Sequence, residues 1–316
     1  MKKKIAWGMS KLLEMYLHET ETNSFSYCID NFSNEDNISG IPIKKFDSLL
    51  KEKRGFFQII IFAVSNSSLQ EITSQLNQMG LYYKKDFIYY SDFFYNSFVK
   101  KAEKYLSFKF DPRVYQFSLS FNLNFKTLIH TTILGTWLFL EIMDHINDID
   151  GQIAEVGAFQ GGNALCALNF MTKLTPKKFY IFDSFEGFPE LSKFDPQNFK
   201  KGHYNIKTTF QEIRNTFLLF PEARVIKGFV PSTFNKITKD EKFSLVFYDC
   251  DLYQPALDTF EFFWDKIVPG GYLLIHDYET EEGGFAGVKK ATDEFFKFRG
   301  VKLFSFFENT MAVIKK

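Results

Sequence analysis

The sequence lacks several features that would place a protein in a broad class. Cysteine is scarce: Cys28, Cys166 and Cys250 lie far apart and form no C-x-x-C pair, which argues against a disulfide framework and favours a reducing compartment. The basic start at residues 1–16 holds no uninterrupted apolar segment and does not indicate a signal peptide. No apolar run reaches the roughly 18 residues of a membrane span. These absences predict a cytoplasmic protein without membrane partners.

A surplus of either charge is also missing. Lysine and arginine number 38, aspartate and glutamate also number 38, and no basic stripe stands out. A chain without a positive field has little attraction for a polyanion, so we expect no nucleic-acid partner. The apolar fraction of 45% is ordinary for a folded protein, and 316 residues exceed the usual size of a single core. The composition predicts two folded domains and is compatible with a homo-oligomer.

Glycine is scarce where a dinucleotide site would need it. Residues 1–95 alternate strand-like and helix-like segments and resemble the small Rossmann-like domains at the front of some sugar-modifying enzymes. The first turn, "GMSKLL", has only Gly8 in place of G-x-G-x-x-G, which favours a packing, dimerisation or substrate-presenting module. If a nucleotide did bind, Asp30 at the end of the second strand would hold its ribose; otherwise Asp30 caps a turn. We expect residues 96–130 to be helical connectors.

The second predicted domain, residues 131–316, opens with a strand, a glycine-rich turn and a helix in "QIAEVGAFQGGNALCALNFM". Gly157, Gly161 and Gly162 permit a ligand to approach the backbone where the helix begins. Glu155 precedes this turn, and a carboxylate there would repel a phosphate and attract a cationic ligand. The turn therefore favours a cation over a pyrophosphate.

A second carboxylate follows the next strand. The segment "KKFYIFD" ends in Asp183, and a carboxylate at the tip of the second strand can accept hydrogen bonds from ribose hydroxyls. Together with Glu155, this position predicts a ligand that carries a ribose and a positive charge but no phosphate. S-adenosylmethionine (SAM) has these properties.

Two further apolar runs, "FSLVFY" and "GYLLIH", are each followed by acidic residues. The carboxyl ends of parallel strands meet at one edge of a sheet, so we expect Asp249, Asp251 and Asp277 to converge there. Carboxylate oxygens are the ligands that Mg²⁺ prefers. An uncompensated cluster of buried carboxylates would be costly, so these residues predict a divalent cation or another positive partner.

The order of these motifs resembles the macrocin O-methyltransferase (TylF-type) family over about residues 130–316. The resemblance is carried by "EVGAFQGGN", "FDSFEGFPE", "VIKGFVPSTF", "YDCDLYQP", "VPGGYLLIHDY" and "GVKKATDEFF". It implies an α/β class I methyltransferase fold, with a seven-stranded, mostly parallel sheet whose last strand is antiparallel. It also implies roles for matching residues: a methionine-binding loop (Glu155, Gly157, Gly161, Gly162), a ribose site (Asp183, Ser184), an adenine contact (Gly228, Phe229) and a metal site at the acidic residues.

His276 departs from the pattern of the resemblance. Family members usually have two acids before the tyrosine, where this chain has "HDY". Imidazole suits transition metals better than Mg²⁺. Three arrangements remain open: a Mg²⁺ site with fewer protein ligands, a Mn²⁺-like site that uses His276 together with Asp249 and Asp277, and a metal-free site in which His276 acts as the base. In these arrangements either Asp251 or His276 could remove the proton from the acceptor.

The resemblance implies a SAM-dependent O-methyltransferase. Its expected acceptor is a small hydroxylated molecule, a sugar or sugar nucleotide in glycoconjugate or natural-product biosynthesis. Two alternatives come from other classes: a non-catalytic module that binds SAM or a sugar after losing its metal, and an NAD(P)-dependent sugar oxidoreductase that uses residues 1–95. The missing glycines near Gly8 count against the last.

Overall fold

The structure is a computed structural model of the full chain. It describes residues 2–10, 13–14, 16–17, 24–63, 65–125, 131–205, 210–278, 285–306 and 311–316. These residues form two compact units, Met1–Lys101 with Asn122–Ile133, and Ala102–Phe121 with Leu134–Lys316. Residues 96–130, which we predict as connectors, therefore contribute to both units. Within the described ranges, none of the helices is long and apolar enough to cross a membrane.

The first unit contains a six-stranded sheet in the order β3-β4-β2-β1-β5-β6. Its strands are β1 (Lys3–Trp7), β2 (Tyr27–Ile29), β3 (Asn37–Ile38), β4 (Ile41–Lys44), β5 (Phe57–Ile61) and β6 (Phe87–Tyr89). Every pairing is parallel except that of β3 with β4. A 3₁₀ helix follows β4 (Phe46–Lys51), and α1 (Asn66–Gln78) connects β5 to β6. Ser65 caps α1 by accepting a hydrogen bond from the Ser68 N–H.

Three helices lead from β6 to the second sheet. They are α2 (Tyr90–Leu106), α3 (Pro112–Asn124) and α4 (Ile133–His145). Helix α4 is apolar on nearly all sides because it lies against the sheet: the Phe139 ring is 5.1 Å from Phe247 and 6.3 Å from Phe179.

The second unit contains the seven-stranded sheet that the resemblance implies, and the predicted α/β fold class is confirmed. Its order is β12-β13-β11-β10-β7-β8-β9, and only β13 runs antiparallel to its neighbours. The strands are β7 (Gln152–Val156), β8 (Phe179–Asp183), β9 (Ala223–Lys227), β10 (Phe243–Tyr248), β11 (Ile267–His276), β12 (Leu303–Phe306) and β13 (Met311–Lys315). The helices are α5 (Gly162–Met171), α6 (Phe210–Thr216), α7 (Tyr253–Phe263) and α8 (Ala286–Phe296), with 3₁₀ helices at Ser232–Lys236 and Trp264–Lys266.

Strand β10 shows why this sheet is apolar on both faces. All six of its residues are buried. Val246 and Tyr248 face the core formed with α7 and α8, whereas Phe247 faces α4. The central strands therefore lie between two helical layers and end at one edge of the sheet. The packing of these strands fixes the positions of the polar residues that follow them.

Candidate functional site

The structure brings together four of the residues that we predict for the site. Asp249 and Asp251 follow β10, His276 is the last residue of β11, and Asp277 comes next. One ligand atom from each lies within 4.8 Å of the others. His276 Nδ1 is 2.9 Å from Asp249 Oδ1 and 2.9 Å from Asp277 Oδ2. We call these four half-buried residues the acid–histidine cluster.

The cluster balances its own charge. Burial alone would lower the pKa of His276, but the carboxylates of Asp249 and Asp277 raise it well above its usual range. Burial opposes ionisation of Asp277 too, yet the charge of His276 lowers its pKa. Burial, followed by the charges of Asp277 and Asp249, raises the pKa of Asp251 well above its usual range. The neighbouring carboxylates thus favour the charged form of His276, while burial and the same charges favour the neutral form of Asp251.

The donor set of the cluster fits a divalent cation. Ligands on opposite sides of Mg²⁺ are about 4.2 Å apart, and those of larger cations are farther apart, so a spread within 4.8 Å needs little adjustment. Three carboxylates supply hard oxygen donors, and His276 adds a nitrogen that suits Mn²⁺-like ions better. A cation would take over the positive charge that the protonated His276 otherwise supplies.

Two members of the cluster have an unusual backbone conformation. Asp251 has φ = +66° and Asp277 has φ = +52°, the left-handed region that few residues other than glycine occupy. Each such residue costs of order 1 kcal/mol or more, and such strain is common at active sites. This backbone conformation directs both carboxylates differently from the side chains of an extended strand.

Asp183 lies at the tip of β8, as predicted. Its carboxylate accepts hydrogen bonds from the backbone N–H groups of Phe185 (2.6 Å) and Phe159 (2.7 Å), and also from that of Ala158. Burial raises its pKa to about 6 despite these bonds, and the charge of Asp249 contributes. A carboxylate has about four acceptor positions, so one remains for a ligand hydroxyl. The sequence predicts that Asp183 accepts hydrogen bonds from ribose hydroxyls, and its carboxylate has one acceptor position left for them.

The hydroxyl of Ser184 forms hydrogen bonds within the neighbouring turn. Its Oγ donates to the carbonyl of Gly187 at 2.9 Å and accepts from the N–H of Glu186 at 3.1 Å. The residue therefore stabilises the loop that follows Asp183, and its hydroxyl hydrogen is not available to a ligand in this arrangement.

Glu155 is more deeply buried than the sequence indicates. Only 1% of the residue is exposed, and it accepts a hydrogen bond from the N–H of Ala164 in the first turn of α5. Burial, then the charges of Asp249 and Asp183, raise its pKa well above the usual range and favour its neutral form. Its Oε2 has no partner among the described residues. A ligand ammonium reaching it would supply one, which fits the amino group of SAM.

The glycines of the first turn are needed for packing. Gly157 has φ = +96°, and a Cβ there would lie 2.1 Å from the carbonyl oxygen of Asp249. The turn after β7 therefore closes tightly over the end of β10. Gly161 caps α5, and Gly162 is its first residue.

The tip of β9 adds an aromatic ring to the same edge of the sheet. The Gly228 N–H donates to the carbonyl oxygen of Asp183 at 2.9 Å. Phe229 follows with 36% of its surface exposed. An exposed ring two residues beyond a strand end can stack on a planar base.

Tyr204 is a site residue that the sequence analysis missed. Burial, and then the charges of Asp251, Asp277 and Asp249, raise its pKa, so its hydroxyl lies within electrostatic reach of the acid–histidine cluster. Its ring contacts Phe159 and Phe188 with centroids 6.0 and 5.1 Å apart. The only signal in the sequence is a His-Tyr pair within the polar stretch "KKGHYNI".

Comparison with known families identifies the family of the second unit. Residues 139–304 match the family model described as macrocin-O-methyltransferase (TylF). The family predicted from the motifs is therefore confirmed, and the matched region contains every residue of the site described above.

Curated relatives match this chain at about one quarter sequence identity over part of their length. The chain is 25% identical over 148 residues to 8-demethyl-8-(2,3-dimethoxy-alpha-L-rhamnosyl)-tetracenomycin-C 4'-O-methyltransferase of Streptomyces olivaceus, covering 42% of this chain and 55% of the relative. It is 23% identical over 143 residues to demethyldecarbamoylnovobiocin O-methyltransferase of Streptomyces niveus, covering 42% and 54%. The chain thus spans about half the length of the curated relatives it matches.

Solved structures share the fold. Calicheamicin methyltransferase CalS11 matches with a TM-score of 0.54 and 16% identity, over 70% of this chain and 91% of that one. The O-methyltransferase NovP matches with a TM-score of 0.52 and 19% identity, over 72% and 99%. At this identity the likeness concerns the fold alone.

Proposed function

We propose, since the chain belongs to the macrocin-O-methyltransferase (TylF) family, that it transfers a methyl group from SAM to a hydroxyl of a small carbohydrate. The two curated relatives named above are O-methyltransferases, and the name of the Streptomyces olivaceus enzyme includes a rhamnosyl group. The acceptor class is carried over from those names, and a sugar or sugar nucleotide is the acceptor to test first.

The observation that carries this proposal is the position of the acid–histidine cluster beside Asp183. The charge of Asp249 raises the pKa of both Asp183 and Glu155, so the residues proposed for the nucleoside and those proposed for the acceptor are electrostatically coupled. Methyl transfer needs the nucleophile, the methyl carbon and the sulfur in line, and much of the rate gain comes from positioning. A shared edge can hold both reactants.

Within the proposed site, Asp249, His276 and Asp277 would hold the divalent cation, with Asp251 next to them. When bound, the cation lowers the pKa of the acceptor hydroxyl, and SAM supplies the methyl group. The raised pKa of His276 argues against the metal-free arrangement with this residue as base, because an imidazolium ion cannot accept a proton. With the cation held by the other three residues, Asp251 is the better candidate base, because a nearby positive charge favours its ionised form, which can accept a proton.

Incubation of the purified chain with SAM and a panel of sugars and sugar nucleotides tests the proposal. We expect one acceptor to gain a methyl group by mass spectrometry while S-adenosylhomocysteine (SAH) forms in equal amount. Chelation and re-addition of Mg²⁺ or Mn²⁺ tests the cation. SAH binding without turnover across the panel would favour the non-catalytic alternative, and turnover that chelation leaves unchanged would contradict the metal site.

A further inference from the structure

The first unit repeats the central part of the second. Five of its strands have the order β4-β2-β1-β5-β6, and the corresponding strands of the second unit have the order β9-β8-β7-β10-β11. Both sets are parallel throughout. The residue pairs across neighbouring strands therefore give a residue-by-residue correspondence between the two units.

The correspondence places Asp30 where the second unit has Asp183. Trp7 pairs with Ile29, and Val156 pairs with Phe182. The residue that follows Ile29 and the residue that follows Phe182 are both aspartates, Asp30 and Asp183. The sequence analysis left Asp30 with two roles, a ribose ligand or a turn cap, and this equivalence bears on that choice.

The backbone around the two aspartates is also the same. Gly8 has φ = +98° and donates to the second strand at 3.0 Å; Gly157 has φ = +96° and donates at 2.9 Å. A Cβ on Gly8 would lie 3.1 Å from the Ala63 nitrogen, so this turn also closes over the neighbouring strand. The two turns present their backbone to the same edge of each sheet.

Asp30 uses its carboxylate as Asp183 does. Its Oδ1 accepts from the N–H groups of Phe32 and Ser33, both at 2.8 Å, and its Oδ2 accepts from Met9 at 3.2 Å. Three of about four acceptor positions are filled, which leaves one on a partly exposed carboxylate. Capping the turn and holding a ribose hydroxyl are thus compatible.

The residues proposed for methyl transfer have apolar or neutral counterparts in the first unit. From the strand pairings, the counterparts of Glu155, Asp249, His276 and Asp277 are Ala6, Phe62, Tyr90 and Ser91. Ala6, Phe62 and Tyr90 are fully buried. The first unit therefore lacks, at these positions, the carboxylates that would attract a cation and repel a phosphate.

An aromatic residue, Phe46, follows β4 and contacts the residue after Asp30. The N–H of Phe46 donates to Asn31 Oδ1 at 2.9 Å, and its half-buried ring lies 5.3 Å from that of Trp7. Lys45 is exposed and donates to the carbonyl oxygens of Asn31 and Ser33. A planar base can stack on such a ring, and a nearby lysine favours an anionic ligand.

We propose that the first unit binds a ribonucleotide, with Asp30 accepting a hydrogen bond from the ribose and the Gly8 turn facing the phosphates. The site binds without chemistry of its own, since the counterparts of the acid–histidine cluster that the structure describes are Phe62, Tyr90 and Ser91. The proposal does not depend on methyl transfer; it takes from the second unit only the position of Asp183.

Calorimetry on the full chain tests this proposal. ADP, GDP, CDP and UDP are titrated with SAH saturating, so that the second unit is occupied, and each is compared with its 2′-deoxy counterpart. We expect at least one ribonucleotide to bind with millimolar affinity or better and to lose about tenfold on removal of the 2′-hydroxyl, as for one hydrogen bond to a charged group. No binding by any of the four, or equal affinity for the deoxy forms, would overturn the proposal.

Matched variants locate the ligand. Asp30→Asn keeps an oxygen for the turn but loses the charge, and should weaken the ribonucleotide about tenfold while SAH affinity stays constant. Asp183→Asn, the equivalent change in the second unit, should do the reverse. Glu71→Gln, which changes an exposed carboxylate of helix α1, controls for general charge. Thermal unfolding confirms that each variant is folded, and if Asp183→Asn alone weakened the ribonucleotide, the ligand would belong to the second unit.

Discussion

The His276 imidazole and the Asp249 carboxylate lie 2.9 Å apart although they come from the ends of two different strands. The parallel pairing of β10 with β11, in which Tyr248 lies opposite Ile275, sets this distance. Because the next residues along the two strands are Asp249 and His276, a fixed register produces the contact. The proposed chemistry depends on it.

Replacing Asp249 by asparagine should abolish methyl transfer while SAM remains bound. The substitution keeps the shape of the side chain but removes one oxygen ligand and one charge next to His276. We expect kcat to fall at least about 100-fold, the rate equivalent of a few kcal/mol of transition-state stabilisation. Initial rates and SAH calorimetry measure the two effects, and an active variant would exclude the role of Asp249.

Replacing His276 by aspartate should raise the affinity for Mg²⁺. The change exchanges a nitrogen ligand for the oxygen that Mg²⁺ prefers and removes the imidazolium charge that competes with a cation. We expect Kd for Mg²⁺ to decrease about tenfold. This change corresponds to a small part of the Coulomb energy between the cation and one added carboxylate at short range. His276→Asn, which has neither charge, is the control. A titration that is flat in wild type and variant alike would support a metal-free site.

SAM binding should weaken as the pH falls through about 6. The pKa of Asp183 is raised to about 6 by burial, and only the ionised carboxylate keeps its acceptor positions free for a ligand hydroxyl. Binding therefore favours the ionised form of Asp183. Below about pH 6 the carboxyl must release a proton before SAM binds, and this lowers the affinity. SAH calorimetry between about pH 5 and 8 measures this dependence. Asp183→Asn should bind more weakly and lose the pH dependence assigned to this group; an unchanged profile would place it elsewhere.

The second unit should lose stability as the pH rises from about 4.5 to 7. Glu141 is buried and accepts from the Trp137 Nε1–H at 2.6 Å, and burial raises its pKa to about 7. In this window the folded state holds a proton that the unfolded chain has released, so stability is highest below the unfolded pKa and falls as the pH approaches the folded pKa. The integrated effect is of order 3 kcal/mol.

Urea unfolding across that pH range checks this prediction. Glu141→Gln should flatten the profile, although the amide cannot accept both of the hydrogen bonds that Glu141 receives from Trp137 and Asp111. The exposed Glu261→Gln is the control. If the free energy of unfolding of Glu141→Gln fell with pH as steeply as that of the wild type, the pH dependence would belong to other groups.

Local patterns sufficed to predict much of the second sheet and its edge. The apolar runs of β10 and β11 and the acids that follow them are visible in the sequence, and strand tips of a parallel sheet meet at one edge. Asp183 was predicted by the same reasoning. Tyr204 was not, because it comes from an irregular segment whose approach to the acids no periodicity describes.

The sequence by itself determined the order of strands and helices, the turns that require glycine, and the residue types at each strand tip, because these follow from backbone geometry and side-chain periodicity. Only the tertiary structure decided the protonation states. Asp251 and Asp277 are both aspartates after apolar strands, yet one has a raised pKa and the other a lowered one. Burial raises the pKa of both, but the charges of Asp277 and Asp249 raise that of Asp251 further, whereas His276 lowers that of Asp277. These effects depend on distances across strands that a linear pattern does not contain.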